Sequence, residues 1–280
     1  MTVLVAGATG RVGSRFVPRL LDHGIPVRVL VRNAERAEPL RQRGAEVLVG
    51  DLSDPEAVKR AVTGVDAVVN LAAAFRGVPD SEAVSVNETA AVELARAALA
   101  AGVTRHVYSS TNLVYGPGRG RPAREDDEPQ PLFTYPQTKV AAENALLELH
   151  RDQGLDVRIV RLAFVYGEGD PHLAESMMWA RSWAAHKRLH MIHHADAGQA
   201  LLRALQAEGI GGRIYNAADD APVTAYELHV LNNETPAEDI AQRELDDPWD
   251  GVVDTTRIRL ELGYRPIYPS VYTARDAGAL

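Results

Sequence analysis

The sequence predicts an α/β fold with a doubly wound parallel sheet and a smaller mixed α/β lobe near the C-terminus. Three observations predict it. Up to Gly167, short β-branched runs alternate with longer amphipathic stretches. A glycine-rich segment directly follows the first β-branched run, as at the first strand–helix junction of such sheets. Beyond Gly167 the alternation ends, and the pattern becomes irregular.

The strands and helices of the first part follow one another in strict order. Strands are predicted at Val3–Ala6, Val27–Val31, Glu46–Val49, Ala67–Leu71, His106–Ser109 and Arg158–Leu162. Helices are predicted between them at Gly13–His23, Ala34–Arg43, Pro55–Val62, Val84–Ala101 and Tyr135–Gln153. Strands and helices that alternate in this way form parallel sheets with right-handed crossovers. The proline-rich segment 117–131 is predicted to be a long loop.

Composition restricts the function classes. The net charge is −8 with acids and bases interspersed, which argues against nucleic acid or an anionic membrane as a partner. There is no cysteine, so disulfides, thiolate metal sites and cysteine nucleophiles are excluded. We read no signal peptide at the N-terminus and no apolar run of about 20 residues that would span a membrane. The expectation is a cytoplasmic protein.

The segment Gly7–Gly13 carries three glycines between the first strand and the first helix. One glycine makes the tight turn, one lets backbone amides approach a pyrophosphate, and one lets helix and strand pack closely. The helix N-terminus adds unpaired N–H groups. The segment therefore predicts a Rossmann-type dinucleotide site, and an ordinary glycine-rich turn is the alternative. The expected contacts are Gly7, Thr9, Gly10, Arg11, Val12 and Gly13.

The end of the second strand indicates which dinucleotide is bound. An NAD site places an acid there to accept hydrogen bonds from the ribose, but Arg32 stands there and no acid does. Arg32 and Arg11 are expected to clamp a 2′-phosphate, which favours NADP over NAD, while two solvated surface arginines are the alternative. Asp51 and Leu52 would lie near the adenine, although Asp51 could instead cap the helix that starts near Pro55.

Tyr135 and Lys139 are four residues apart on a predicted helix and therefore share a face. A nearby ammonium is expected to lower the pKa of the tyrosine, which could then protonate a nascent alkoxide or take its proton. The hydroxyl of Thr111 follows the fifth strand and is expected to face the same crevice. Capping of the loop backbone is the alternative role for this hydroxyl.

The chain resembles the extended short-chain dehydrogenases/reductases, that is, the NAD(P)-dependent epimerase/dehydratase family. The residues that carry the resemblance span nearly the whole chain: the glycines at 7, 10 and 13, Asn70–Ala73, Asn87, Ser109–Thr111 with Val114–Gly116, Tyr135 and Lys139, Arg161–Gly167, His193–Asp196, Tyr215–Ala217 and Arg257–Pro266.

The resemblance implies an enzyme with Thr111, Tyr135 and Lys139 as its catalytic residues. It implies cofactor contacts at Leu71, Ala72, Ala73, Asn87, Leu162, Phe164 and Val165, besides Tyr135 and Lys139. Substrate contacts are expected at Phe75, Ser110, Thr111, Asn112, Tyr166, Trp179 and Arg188. Leu162 stands where the family commonly has proline.

The end of the strand–helix alternation after Gly167 gives the expected domain boundaries. Residues 1–167 would form the dinucleotide-binding Rossmann domain, to which residues 195–220 return. Residues 168–194 and 221–280 would form the smaller substrate-binding lobe, beside the carboxyl edge of the sheet where open α/β folds bind ligands. Helices are expected at Leu173–His186, Gly198–Glu208 and Asp254–Leu262, and a strand at Arg213–Asn216.

The residue types narrow the reaction. Dehydratases of the family carry Asp-Glu directly after the catalytic threonine, whereas Asn112 and Leu113 stand here, which disfavours dehydration. Net reduction of a carbonyl, most simply on a nucleotide-sugar, is favoured. Redox-neutral 4-epimerisation, reduction of a non-sugar ketone and a non-catalytic dinucleotide sensor remain as alternatives.

The predicted second lobe and the surface give weaker signals. Trp179 and Trp183 fit a helical stripe in the core better than a pocket lining. The histidines at 190, 193 and 194 lack the spacing of a metal site, so no metal is expected. A homodimer is expected through the helices Val84–Ala101 and Tyr135–Leu149, unless the sheet buries their apolar faces completely.

Overall fold

Seven parallel strands form the centre of the computed structural model, which describes residues 1–280. They are β1 Val3–Ala6, β2 Val27–Val31, β3 Glu46–Val49, β4 Ala67–Asn70, β5 Arg105–Thr111, β6 Asp156–Leu162 and, from later in the chain, β10 Arg213–Ala217. Their order is β10-β6-β5-β4-β1-β2-β3. The order reverses between β1 and β4, which is where doubly wound folds bind ligands. The predicted α/β fold class is confirmed.

The central strands are buried on both faces, because their side chains alternate between two apolar layers. Val5 of β1 packs in one layer and Leu4 packs in the other. Helices cover both layers, and those of the first part are α1 Gly13–Asp22, α2 Glu38–Gln42, α3 Pro55–Val62, α4 Asp80–Val84, α5 Ala90–Ala100 and α6 Thr134–Gln153. α1 packs against the later helix α9 His194–Gln206.

The remaining elements form a smaller group beside the sheet. Two short strand pairs lie there, β7 Phe164–Tyr166 with β9 Met191–His193, and β8 Arg188–Leu189 with β11 Val223–Thr224. The helices are α7 His172–Glu175, α8 Met177–Ala180, α10 Ala225–Leu231, α11 Thr256–Leu262 and α12 Val271–Asp276. Tyr166, Met177, Leu228 and Val271 pack together in the core of this group.

Two predicted long helices are interrupted. The helix expected at 84–101 contains a π-helical turn at residues 85–89, and the carbonyl of Asn87 in that turn accepts a hydrogen bond from the Tyr108 hydroxyl at 3.0 Å. The helix expected at 173–186 is two short helices. The hydroxyl of Ser176 donates to the carbonyl of Leu173 at 2.6 Å, and such back-bonding competes with regular helix.

The helices α10 and α12 were not predicted, although the sequence holds a signal for both. Thr224 and Glu227 form a reciprocal capping box at the start of α10. Ser270 and Thr273 form the equivalent pair at the start of α12. Among all the helices, none combines the length and apolarity that crossing a membrane requires.

Candidate active site

The glycine loop lies at the carboxyl end of β1, against the end of β4. Gly7 has φ +76°, and a Cβ there would lie 2.5 Å from the backbone nitrogen of Ala72. A Cβ on Gly13 would lie 2.2 Å from the carbonyl oxygen of Gly7. Gly10 donates its N–H to that same carbonyl at 3.0 Å. The loop can therefore be built only with glycine at positions 7 and 13, and it leaves backbone amides accessible at the start of α1, as a dinucleotide requires.

The start of α1 fits an anion. Val12 precedes the helix without a side-chain cap, and the first turn holds no acidic residue. The partial positive charge of the helix terminus is therefore not neutralised by the helix itself. Thr9 is partly buried, and its carbonyl accepts a hydrogen bond from Arg36 at 3.4 Å.

The two arginines expected to form a phosphate clamp have different partners. Arg11 binds the carboxylates of Asp170 and Glu175 with contacts of 2.8 to 3.1 Å. Arg32 is 74% exposed in its side chain and lies 4.0 Å from Asp51. The expected pairing of Arg11 with Arg32 is thus not seen. Arg36, which the sequence analysis passed over, donates to the Thr9 carbonyl of the glycine loop, and Arg15 donates to the Arg11 carbonyl at 3.0 Å.

Asp51 does not cap the following helix. Its Oδ1 accepts from the backbone and hydroxyl of Ser53, which lowers the pKa of the Asp51 carboxyl. Asp54 caps α3 instead, by accepting the N–H of Glu56 at 3.0 Å. The capping alternative for Asp51 was therefore wrong. Leu52 is partly buried against the core layer that contains α3.

The segment after β4 is held by two asparagines. Asn70 accepts the N–H of Ala72 at 3.0 Å. Asn87, fully buried, accepts the N–H of Ala74 at 2.8 Å and donates to its carbonyl at 3.0 Å. Its amide also donates to the Thr138 hydroxyl on α6 at 3.1 Å. Asn87 thus fixes the Leu71–Ala74 segment relative to the helix that carries Tyr135.

Lys139 is buried under the end of β5. Its Nζ donates to the carbonyl of Ser109 at 3.0 Å and lies 4.7 Å from the ring centroid of Tyr108. Burial lowers the pKa of Lys139 to about 7, against a smaller opposing effect of Glu143. The ammonium is therefore close to its titration point at neutral pH.

Tyr135 lies in the first turn of α6, and its ring centroid is 4.5 Å from that of Phe75. Burial raises the pKa of Tyr135 to about 12, while the charge of Arg76 acts in the opposite direction. The expectation that Lys139 lowers this pKa was wrong for this structure, because Nζ of Lys139 is directed to a backbone carbonyl and burial dominates.

Thr111 and its neighbours close β5. The Thr111 hydroxyl accepts the N–H of Leu113 at 3.2 Å and so caps the short 3₁₀ turn at 112–115, which leaves its proton available to a second acceptor. Ser110 is buried with no partner for its hydroxyl. Asn112 donates to the carbonyl of Gly251 at 3.1 Å and so holds a segment of the smaller group against β5.

The segment that follows β6 contributes aromatic side chains to the smaller group. Leu162 ends β6, and the chain enters β7 at Phe164. The ring of Phe164 stacks on His172 with centroids 3.8 Å apart and meets Trp179 edge-on at 6.4 Å. Val165 accepts a hydrogen bond from His172 at 2.7 Å through its carbonyl.

Tyr166, Trp179 and Arg188 of the smaller group were expected to contact the substrate. Tyr166 is fully buried and its hydroxyl has no partner. Trp179 and Trp183 do not share one helix, since α8 ends at Ala180, so the expected helical stripe was wrong. Arg188 lies over the ring of Trp249 at 5.0 Å and lines a cavity of about 520 Å³.

The three histidines that lack the sequence spacing of a metal site each have a separate oxygen partner. The rings of His190, His193 and His194 contact the Asp219 carbonyl at 3.1 Å, the Ala279 carbonyl at 2.8 Å and the Asp170 carboxylate at 2.8 Å, respectively.

Comparisons with known proteins agree with this geometry. The model of the NAD dependent epimerase/dehydratase family matches residues 3–218. A ketoreductase of Stigmatella aurantiaca that acts on 4-hydroxy-2-methyl-3-oxo-4-farnesyl-3,4-dihydroquinoline-1-oxide is 31% identical over 84% of this chain and 73% of its own length. A dTDP-glucose 4,6-dehydratase of Streptomyces griseus is 29% identical over 94% of this chain and 89% of its own.

Solved structures share the fold. A short-chain dehydrogenase/reductase superfamily protein of Agrobacterium tumefaciens with bound NAD superposes with a TM-score of 0.80 at 24% identity, covering 99% of this chain and 96% of that one. DesIV, a dTDP-glucose 4,6-dehydratase of Streptomyces venezuelae with NAD and TYD bound, gives a TM-score of 0.79 at 25% identity over 99% of this chain and 97% of its own.

Proposed function

Because the chain belongs to the NAD-dependent epimerase/dehydratase family of enzymes, we propose that it is a ketoreductase that reduces a small-molecule carbonyl. The observation that carries the proposal is the placement of Tyr135 and Lys139 on one face of α6, with Lys139 bound to the Ser109 carbonyl two residues before Thr111. A bound nicotinamide dinucleotide supplies the hydride.

The protonation state of Tyr135 favours reduction. With its pKa raised to about 12 by burial, the phenol keeps its proton across the neutral range and can give it to the carbonyl oxygen. Alcohol oxidation would need the phenolate, which burial disfavours. In the proposal, the Thr111 hydroxyl holds the same oxygen, and Lys139 orients the ribose beside the carbonyl of Ser109.

Dehydration and epimerisation are less well supported. Asn112 and Leu113 follow Thr111 where family dehydratases carry two acids, and the Asn112 amide already binds Gly251. An elimination would lack its acid and base there. Epimerisation needs the same tyrosine to act in both directions, which its high pKa opposes.

NADP is proposed as the cofactor, with NAD as the family's common alternative. The support is the absence of an acid at the end of β2, together with the exposed Arg32 and with Arg36 against the Thr9 carbonyl. Both guanidinium groups are exposed and have only long contacts, to Asp51 at 4.0 Å and to the Thr9 carbonyl at 3.4 Å, so they can turn to a 2′-phosphate, whereas Arg11 is engaged by two carboxylates. We propose the remaining cofactor contacts at the glycine loop, at Asp51–Leu52, Leu71–Ala73 and at Leu162–Val165.

A nucleotide-sugar is the proposed substrate. The cavity of about 520 Å³ presents Arg188 beside the indole of Trp249, a combination suited to a phosphate and a base, and it also holds Arg259, which is paired with Asp220. Residues 168–194 and 221–280 would form this substrate lobe, and residues 1–167 with 195–220 the dinucleotide domain.

Reduction of a non-sugar ketone is the second candidate. The part of the candidate site near Tyr135 is lined by aromatic rings, those of Phe75, Phe164 and Trp179. The ketoreductase from Stigmatella, whose named substrate is a farnesylated quinoline oxide, is consistent with such a lining.

We further propose a homodimer through α4, α5 and α6. Val84 on α4 and Phe133, which precedes α6, are exposed apolar residues beside these helices, at 40% and 49% exposure.

The test is a titration of the full chain with NADPH and NADH, followed by absorbance decay with a panel of ketones that includes nucleotide-linked ketosugars. Binding followed by net oxidation of the dinucleotide supports a ketoreductase. Binding without turnover supports the sensor alternative, and interconversion of epimers without net oxidation supports an epimerase. Arg32→Asp should shift the preference from NADPH toward NADH, and an unchanged ratio would contradict the 2′-phosphate proposal.

A further inference from the structure

Arg76 lies beside the proposed active site in a strained conformation. Its φ is +54°, in the left-handed region that side chains other than glycine rarely adopt. Its guanidinium carbon lies 4.5 Å from the ring centroid of Phe75 and 4.1 Å from that of Trp179. The ring of Phe75 in turn contacts Tyr135. The strained backbone thus presents a cation between two aromatic rings, next to the proposed proton donor.

His172 does not neutralise this cation. Its Nε2 contacts the Arg76 guanidinium at 2.8 Å, and its Nδ1 contacts the Val165 carbonyl at 2.7 Å. A carbonyl can only accept, so Nδ1 carries the proton and Nε2 accepts from Arg76. This neutral form agrees with the pKa of His172, which burial lowers to about 4.

Glu175 supplies only part of a counter-charge. Its Oε2 is 3.2 Å from Arg76 and 3.0 Å from Arg11, and its Oε1 is 2.8 Å from Arg11. One partly exposed carboxylate is therefore shared by two arginines, and Arg11 has Asp170 as a second partner. The Nε of Arg76 is buried without a hydrogen-bond partner. The side chain as a whole is 27% exposed, so an oxyanion can reach the terminal nitrogens of this incompletely paired cation.

We propose that Arg76 binds a carboxylate of the substrate, so that the preferred substrates are oxo acids with an apolar or aromatic group beside the carboxylate. In this assignment Glu175 is an internal counter-ion that the substrate carboxylate replaces on Arg76, while Arg11 retains Asp170. Phe75 and Trp179 supply the apolar walls. The proposal rests on the proposed function in its second form, the reduction of a non-sugar ketone, because it places the carboxylate next to the Tyr135 proton donor.

The pyrophosphate of the dinucleotide offers the same oxyanion chemistry, so the test must separate the two sources. The full chain, saturated with NADP⁺ so that no reduction occurs, is titrated calorimetrically with benzoylformate and with its methyl ester. The two probes differ in the negative charge and in one methyl group. NADP⁺ affinity is measured separately for each variant.

The wild-type chain is expected to bind the acid at least about 10-fold more tightly than the ester. Arg76→Gln should weaken acid binding about 10- to 100-fold and leave ester and NADP⁺ affinity within a factor of about three. Arg76→Lys keeps the charge and should retain part of the preference. Glu175→Gln should strengthen acid binding, because it removes the competing carboxylate. Arg96→Gln is the matched control, since Arg96 pairs only with Glu93 on the surface of α5.

Equal affinity for acid and ester in the wild-type chain, or an Arg76→Gln variant that keeps the preference, would overturn the proposal. A loss of NADP⁺ affinity in Arg76→Gln with an unchanged acid-to-ester ratio would assign the arginine to the cofactor and overturn it as well. If neither NADP⁺ nor NAD⁺ binds, the proposed function fails, and the acid and ester titrations without dinucleotide still decide the role of Arg76.

Discussion

Glu143 and Arg161 form a buried two-point ion pair, with oxygen–nitrogen distances of 2.5 and 3.0 Å, directly behind the proposed catalytic helix face. Glu143 lies one helical turn beyond Lys139 and raises its pKa against the effect of burial. Arg161 also donates to the Tyr115 hydroxyl at 2.9 Å, which itself donates to Asn216 at 2.7 Å. The pair therefore joins α6, β6, β10 and the 3₁₀ turn after β5 behind the site.

Breaking this pair should strongly destabilise the fold. Arg161→Met leaves the Glu143 carboxylate buried without its partner, and we expect a loss of about 3–5 kcal/mol in the free energy of unfolding. Glu143→Leu combined with Arg161→Met removes both charges and should recover at least half of that loss. Urea unfolding of the single and double variants measures this. A double variant no more stable than Arg161→Met would contradict it.

The buried ammonium of Lys139 should make stability depend on alkaline pH. Its pKa is lowered from 10.5 to about 7, so the unfolded chain binds this proton more tightly between those values. The stability of the wild-type chain should therefore rise from pH 7 toward 10 relative to Lys139→Met. Chemical unfolding of both proteins at several pH values gives the comparison, and parallel curves would show that the ammonium is not desolvated as described.

Asp219 should have the opposite dependence. Its side chain is buried with Oδ2 unpartnered, and burial raises its pKa from 3.8 to about 8. Its favourable contribution is present below the unfolded pKa and is lost as the pH rises through 8. Asp219→Asn keeps the Oδ1 acceptor for the Ala221 N–H and should become the more stable protein as pH rises from 4 to 8. A difference that stays constant over that range would count against this assignment.

The close approach at Gly7 should be measurable as a stability difference. Gly7 and Gly24 share a positive φ, +76° and +70°, but only Gly7 has backbone atoms within reach of a Cβ. Gly24→Ala should cost about 1–2 kcal/mol from the conformation alone. Gly7→Ala should cost a further ~1–3 kcal/mol because the loop or the end of β4 must shift. Thermal unfolding of the two variants measures both losses of stability. Equal losses would contradict the prediction, because they would mean that the loop accommodates a Cβ at Gly7 without a further cost.

The sheet and the catalytic helix could be predicted because their signals are local. The bounds of β1, β2, β3 and α3 agree with the sequence pattern to the residue. The spacing within Gly7–Gly13 and between Tyr135 and Lys139 is likewise local, because each spans only a few consecutive residues.

What sequence reasoning missed depends on contacts between distant segments. Arg11 forms ion pairs with Asp170 and Glu175. Both residues lie far from Arg11 along the chain, so these ion pairs could not be predicted from the sequence. Arg76 has no motif around it, and its role follows only from the proximity of Trp179 and Tyr135. The raised pKa of Tyr135 arises from burial, which helical spacing alone does not report.

The central claim is that Tyr135 donates the proton that completes carbonyl reduction. Turnover and dinucleotide affinity of Tyr135→Phe, measured in parallel on a carbonyl that the wild-type chain reduces, test it most directly. We predict turnover lower by about 10²- to 10⁴-fold with dinucleotide affinity unchanged within a factor of about three. Turnover close to that of the wild-type chain would contradict the account.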